Sequence, residues 1–238
     1  MNENKNPDLN SKCYWDNRFF KEGSWEKNNG RVQTRTFAEC FNRVIDIPFT
    51  EFSLLDAGCA LGDALSLFRR KYSRAKLSGC DFSDIAVQRC KKEYGEVATF
   101  FTSSLDNLEG RWDVIYCSNV LEHFSNPLEL SEKMLGNCHL LYLMLPYKEL
   151  DNGKPLSPDF PNDSGHVSSF FKNSFESLIR NGSASRITYF IDDCPGAWGW
   201  PFSKKLRYIL STARHMRGLG NIFRFPKQII FEICGKKS

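Results

Sequence analysis

A chain of 238 residues, 41% hydrophobic and 25% charged, is long enough for one α/β domain with a short addition and excludes a disordered protein. The formal net charge of +4 excludes a strongly basic nucleic-acid binder as the default. Nine scattered cysteines without a Cys-x-x-Cys pair argue against a disulfide framework or a zinc site, and four histidines, at 123, 139, 166 and 215, show no metal-ligand spacing, so no metal is expected.

In chain order, the first dozen residues are polar without an apolar core, which predicts no secretory leader and a cytoplasmic setting. Tyr14, Trp15, Phe19, Phe20 and Trp25 then precede the core and read as a cover over its edge or as a lid over a site. In that lid, Arg31 or Gln33 could meet a ligand carboxylate. Phe37, Phe41, Val44 and Ile45 have the i, i+4, i+7, i+8 spacing of an amphipathic helix over residues 35–45.

The stretch Leu54-Leu55-Asp56-Ala57-Gly58-Cys59-Ala60-Leu61-Gly62 reads as a buried strand ending in a glycine-rich turn that opens a helix over 63–72. Gly58 and Gly62 let another molecule approach the backbone closely. The spacing is acidic-x-Gly-x-Ala-x-Gly, whereas the dinucleotide fingerprint requires Gly-x-Gly-x-x-Gly. A second strand over 76–81 ends in Asp81, 19 residues after Gly62, where an acid can accept bonds from both hydroxyls of a ribose. Ser83 and Asp84 can cap the helix over 84–94, which leaves Asp81 for a ligand.

Strands follow over 98–103 and 112–117, then a helix opened by Asn126-Pro127 and an apolar strand over 138–145 suited to the middle of a sheet. Residues 146–171 read as a long functional loop, 173–180 as a helix stopped by Asn181-Gly182, and 186–191 and 227–234 as strands. Between the last two lies an insertion with Trp198, Trp200 and the basic residues Lys204, Lys205, Arg207, Arg214 and Arg217. That run is a solvated face, a site for an anionic acceptor or a contact for a membrane surface. The alternation of helix and strand implies right-handed βαβ units and a mainly parallel sheet.

Residues 54–62, residues 77–83 and Trp112-Asp113-Val114-Ile115-Tyr116-Cys117-Ser118-Asn119-Val120-Leu121-Glu122-His123-Phe124 together resemble the class I S-adenosylmethionine-dependent methyltransferases, small-molecule type. The resemblance covers residues 54–147 and extends more loosely to 179 through Gly165-His166-Val167. It implies a Rossmann-like, doubly wound α/β sheet of seven strands with the last antiparallel, an N-terminal helical lid and a helical insertion before the last strand. It further implies one domain, with residues 1–36 as the cap, 37–191 as the cofactor core, 192–225 as the insertion and 226–238 as the final strand. S-adenosylmethionine would be held by Asp56, Gly58, Cys59, Ala60 and Gly62 at the turn, by Asp81 on the ribose and by Phe82 on the adenine. Ser104, Leu105, Ser118 and Asn119 would complete the pocket. At Ser104 the sequence departs from the family, many members of which carry an aspartate there; Asp106 or a backbone carbonyl could substitute.

Transfer of a methyl group to a hydroxyl calls for a general base, with His166 as first candidate and His123 as second. The expected acceptor is a small molecule or saccharide, phosphorylated or nucleotide-linked where the basic run takes part. A tRNA or DNA methyltransferase is the alternative, although Ser118-Asn119-Val120-Leu121 stands where adenine-N6 enzymes carry Asn-Pro-Pro-aromatic. A noncatalytic partner-binding member of the fold is the third reading.

Overall fold

The apolar runs assemble into one seven-stranded sheet in a computed structural model that describes residues 10–20, 23–148, 150–151, 154–155, 165–192 and 227–236. Its strands are β1 (Ser53–Ala57), β2 (Lys76–Asp81), β3 (Thr99–Thr102), β4 (Trp112–Ser118), β5 (Cys138–Tyr147), β8 (Ala184–Asp192) and β9 (Lys227–Gly235). A separate two-residue pair, β6 (Leu150–Asp151) with β7 (Lys154–Pro155), follows β5. The order is β3-β2-β1-β4-β5-β9-β8. The first five of these strands run parallel, and β9 enters antiparallel to both β5 and β8. This is the doubly wound sheet with an antiparallel last strand that the resemblance implied. The strand order reverses between β1 and β4, and parallel sheets of this kind place ligands outside the carboxyl ends of the strands at that reversal.

Alternating side chains sort the core into two layers, as the two-residue period of a strand requires. Leu54, Val114, Tyr116, Tyr142 and Met144 face one layer, under α3 (Gly30–Val44) and α4 (Asp63–Lys71). Leu55, Ile115, Cys117, Leu141 and Leu143 face the other, under α6 (Pro127–Gly136) and α7 (Glu176–Arg180). An aromatic block anchors the first layer, with the Phe41 ring 4.8 Å from that of Tyr116 and 5.1 Å from that of Tyr142. Cys80, Cys90 and Cys117 are buried and behave as small apolar groups. Among the described residues no helix is long and apolar enough to cross a membrane.

Two differences from the sequence reading have local causes. Helix α3 starts at Gly30 rather than Arg35, because left-handed Asn29 (φ 61°) breaks the chain after α2 (Ser24–Lys27) and Gly30 sits flush under Trp25. A Cβ at Gly30 would lie 2.3 Å from the Trp25 ring. Arg31 and Gln33 therefore stand on the first turn of α3. The stretch read as one loop begins later, since β5 continues to Tyr147 by pairing with Lys227, and Tyr147 then bridges to Phe170. The insertion with Trp198, Trp200 and the basic run lies outside the described residues.

Candidate functional site

The carboxyl ends of β1, β2 and β4 converge on the glycine turn, where three residues have left-handed backbone: Gly58 (φ 80°), Ala60 (φ 49°) and Gly62 (φ 78°). Two of them avoid strain by lacking a Cβ, and Ala60 holds the conformation as a small residue. A Cβ at Gly58 would come within 2.5 Å of Val120 Cγ2, so the turn lies against the chain leaving β4 with no room for a side chain.

The amides of this turn are committed inward. Gly58 N and Cys59 N both donate to the Cys80 carbonyl at 2.9 Å, Gly62 N donates to the Cys59 carbonyl at 2.8 Å, and Ala60 N donates to Asp81 Oδ2 at 3.0 Å. A dinucleotide turn keeps such N–H groups for a pyrophosphate. With four of them already bonded to protein oxygens, this turn fits a ligand that carries no phosphate.

Two buried carboxylates flank it. Burial, with help from Asp81, pushes Asp56 up to about 8. Burial also lifts Asp81 to about 6, against the lowering effect of the Ser83 and Ala60 amides. Asp81 is thus less free than the sequence implied, since Oδ1 accepts from Ser83 N at 3.0 Å while Oδ2 accepts from Ala60 N. Each oxygen keeps a second lone pair for a hydroxyl. Ser83 caps α5 (Asp84–Tyr94) by accepting from Ala86 N at 3.1 Å, as its position predicted. At neutral pH Asp56 is mostly protonated while Asp81 is mostly ionised, so a single negative charge beside a turn whose amides are already bonded favours a cationic ligand over a phosphate, which fits S-adenosylmethionine.

Among the remaining sequence candidates, half-buried Phe82 follows Asp81, and Ser104 precedes a short 3-10 turn (Leu105–Asn107) that buries Leu105. Asp106, the substitute for the missing adenine-binding aspartate, points instead to Lys133 at 3.0 Å. Ser118 ends β4, and Asn119 turns the chain at φ 52° with its N–H on the Met144 carbonyl.

Helix α1 (Lys12–Phe19) covers this region. Phe19 packs with Ala60, Leu61 and Ala86, and half-buried Trp15 and Trp25 close over them. Asp16 accepts from the Ser83 hydroxyl, and Arg89 donates to the Phe19 carbonyl at 2.9 Å. The aromatic N-terminal segment is therefore fixed directly over the glycine turn. The Arg31 guanidinium, in contrast, is engaged by Glu26 at 3.0 Å, buried Asp63 at 3.1 Å and Glu93 at 2.8 Å. That makes it a strut of the cap; a ligand carboxylate would have to displace one of these acids. Gln33 is half-buried on the same helix.

The two histidines chosen from sequence come together although 43 positions separate them. Glu122 and His123 lie on a 3-10 turn (Leu121–His123) after β4. The Glu122 carbonyl accepts from Val167 N at 2.7 Å and from Ser168 N at 3.1 Å, which brings His166 alongside. The His123 and His166 ring centroids are 4.8 Å apart, and His166 Nε2 is 4.0 Å from Glu122 Oε1. Trp15 of the cap stacks edge-on to His123 at 5.2 Å. Burial and the neighbouring His166 press His123 down to about 3, so its ring stays neutral and is a poor proton acceptor at neutral pH. Sequence reasoning missed Glu122, which is 1% exposed; its adjacency to His123 at a strand end was the available signal.

Residues 24–181 match the methyltransferase-domain family. No curated protein matches the sequence. Among solved structures, the plantazolicin methyltransferase BpumL in complex with S-adenosylhomocysteine (SAH) is 19% identical with a TM-score of 0.54, covering 96% of each chain. Magnesium protoporphyrin IX methyltransferase from Synechocystis PCC 6803, with bound SAH, is 16% identical with a TM-score of 0.55 over 95% of this chain and 96% of that one. Coclaurine N-methyltransferase, bound to N-methylheliamine and SAH, is 16% identical with a TM-score of 0.57 over 90% of this chain and 75% of that one. These likenesses establish the shared fold.

Proposed function

The chain belongs to the class I S-adenosylmethionine-dependent methyltransferases, and on that premise we propose that it methylates an oxygen of a small-molecule or saccharide acceptor. The observation that carries the choice of oxygen is the cluster of buried Glu122 with half-buried His123 and His166, on the chain that leaves β4 just after Val120 meets the Gly58 turn, because a hydroxyl must lose its proton to become a useful nucleophile. By their names the similar solved structures are methyltransferases of plantazolicin, of magnesium protoporphyrin IX and of a coclaurine nitrogen, so the acceptor differs widely on this fold.

Bound S-adenosylmethionine supplies a methyl group activated by its sulfonium, and the protein's contribution is alignment and exclusion of water. Asp81 would take the ribose hydroxyls on its outer lone pairs, with Phe82 and Leu105 against the adenine and Ser104 at its edge. Asp56, Gly58, Cys59, Ala60 and Gly62 would form the floor under the methionyl part, and Ser118 and Asn119 the wall toward the acceptor. Trp15, Phe19 and Trp25 close the site from above. His123 and His166 meet the acceptor oxygen from the side of Val120. The chain is read as a single working unit, cap and core together.

The test is transfer of labelled methyl from S-adenosylmethionine to a panel of sugar phosphates, nucleotide-linked sugars, phenols and amines. The expected product carries an O-methyl group by NMR. Label found only on amines would overturn the oxygen reading while leaving the methyltransferase assignment in place.

A further inference from the structure

We propose that Glu122, His123 and His166 bind one divalent metal cation, and that this cation receives the acceptor's hydroxyl beside the glycine turn. One ligand atom from each of the three lies within 4.8 Å of the others. Two imidazoles and one carboxylate are the donor set of metal sites that retain open positions for water or substrate, for zinc as for manganese, cobalt or iron. Bond lengths of roughly 2.0–2.2 Å around such an ion place ligand atoms about 3 Å apart, so side-chain rotation of around an ångström closes the cluster.

The surroundings are prepared for that role. The Gly165 carbonyl can only accept, so the 3.2 Å contact with His123 Nδ1 puts the proton on Nδ1 and leaves the Nε2 lone pair available. A backbone carbonyl on the remote ring nitrogen is the outer support that metal-bound histidines usually have. The segment bearing His166 is clamped on Glu122 itself through Val167 N and Ser168 N, and again where the Ser168 hydroxyl donates to the Phe124 carbonyl at 2.6 Å. Linear spacing concealed the set, because Glu122 and His123 are adjacent while His166 arrives from another loop.

The chemical consequence rests on the oxygen-methylation reading. A cation bound here lowers the pKa of a coordinated hydroxyl, and its proton leaves to bulk water. The oxygen lone pair then forms the O–CH3 bond as the S–CH3 bond breaks, and that electron pair stays on sulfur to leave a neutral thioether. With both imidazoles ligated, neither needs to act as the base.

The test uses the full chain, dialysed against a chelator and titrated with Mn2+ alone, with free Mn2+ followed by its paramagnetic resonance. One ion per chain is expected, with nitrogen couplings from imidazole in the bound signal. Glu122→Gln and His166→Ala should each weaken Mn2+ binding at least about tenfold. Their affinity for SAH, measured by calorimetry, should stay within about twofold of the parent, since neither residue belongs to the adenosine pocket. Parent protein that binds SAH but no Mn2+, Co2+ or Zn2+ up to about millimolar would overturn the proposal and leave the methyltransferase reading intact. Metal retained undiminished by both variants would also overturn it. If the variants do not fold, the imidazole couplings of the parent decide, and their absence counts against the site. Failure to bind SAH, in contrast, would strike the cofactor reading while the metal titration still stands by itself.

Discussion

The proposed cofactor half of the site, between β1 and β3, and the proposed acceptor half, around Glu122 and His166, are built in opposite ways. In the first, every participant follows its strand within a few residues, and the geometry comes from backbone: left-handed Gly58 and Gly62, inward amides and a capped helix. In the second, the side chains come from segments far apart in sequence, held together by two N–H bonds to one carbonyl. Local construction makes the first half recognisable and intolerant of change. Remote construction gives the second half no comparable local signature in the sequence.

The sharpest way to break this contrast is Gly58→Ala. The new methyl group would meet Val120 Cγ2 at 2.5 Å in a φ of 80°, and such backbone strain costs on the order of 1–3 kcal/mol before the clash is counted. A lowered melting temperature and a loss of SAH affinity of about a hundredfold are expected by calorimetry. Wild-type behaviour would mean that the turn is not the rigid element described.

Asp81→Ala should follow, weakening SAH by roughly 1.5–3 kcal/mol as charge-assisted bonds to the ribose are lost. An unaltered titration would remove Asp81 from the pocket.

Arg31→Ala separates a strut from a ligand contact. Because Asp63 is buried and keeps Arg35 at 2.8 Å, the loss should be about 1–3 kcal/mol of stability in urea unfolding, with SAH affinity changed by less than about fivefold. A larger effect on SAH than on stability would restore the ligand role read from sequence.

The smallest effect is on pH. Asp81, held up to about 6, is ionised at pH 7 and becomes protonated below 6, so SAH affinity should fall by about tenfold in all as pH drops from 7 to 5. Stability moves the other way. Both folded values lie above the ordinary 3.8, so the contribution of these two acids is full below that value and is lost as pH rises through about 6 for Asp81 and about 8 for Asp56. Melting curves of the ligand-free protein should reflect that loss toward pH 8.5, and Asp56→Asn should flatten its upper part.

Much of the fold was legible because period-two and period-3.6 patterns are local: strands 76–81 and 112–117 and helices 63–72 and 84–94 match their observed bounds within a residue. The start of α3 was hidden, since it depends on Gly30 meeting a tryptophan ring five positions earlier in the chain. Asp106 was a plausible adenine partner in sequence, but a lysine on a separate helix claims it.

By itself the sequence determined the α/β class and the glycine turn with Asp56 and Asp81 at strand ends, because each is a matter of residue type at short range. Only the tertiary structure decided that the turn's amides face inward, that Arg31 braces the cap, and that Glu122 joins the two histidines. Those outcomes depend on which distant carbonyl or carboxylate reaches a given N–H first, and chain spacing carries no record of that competition.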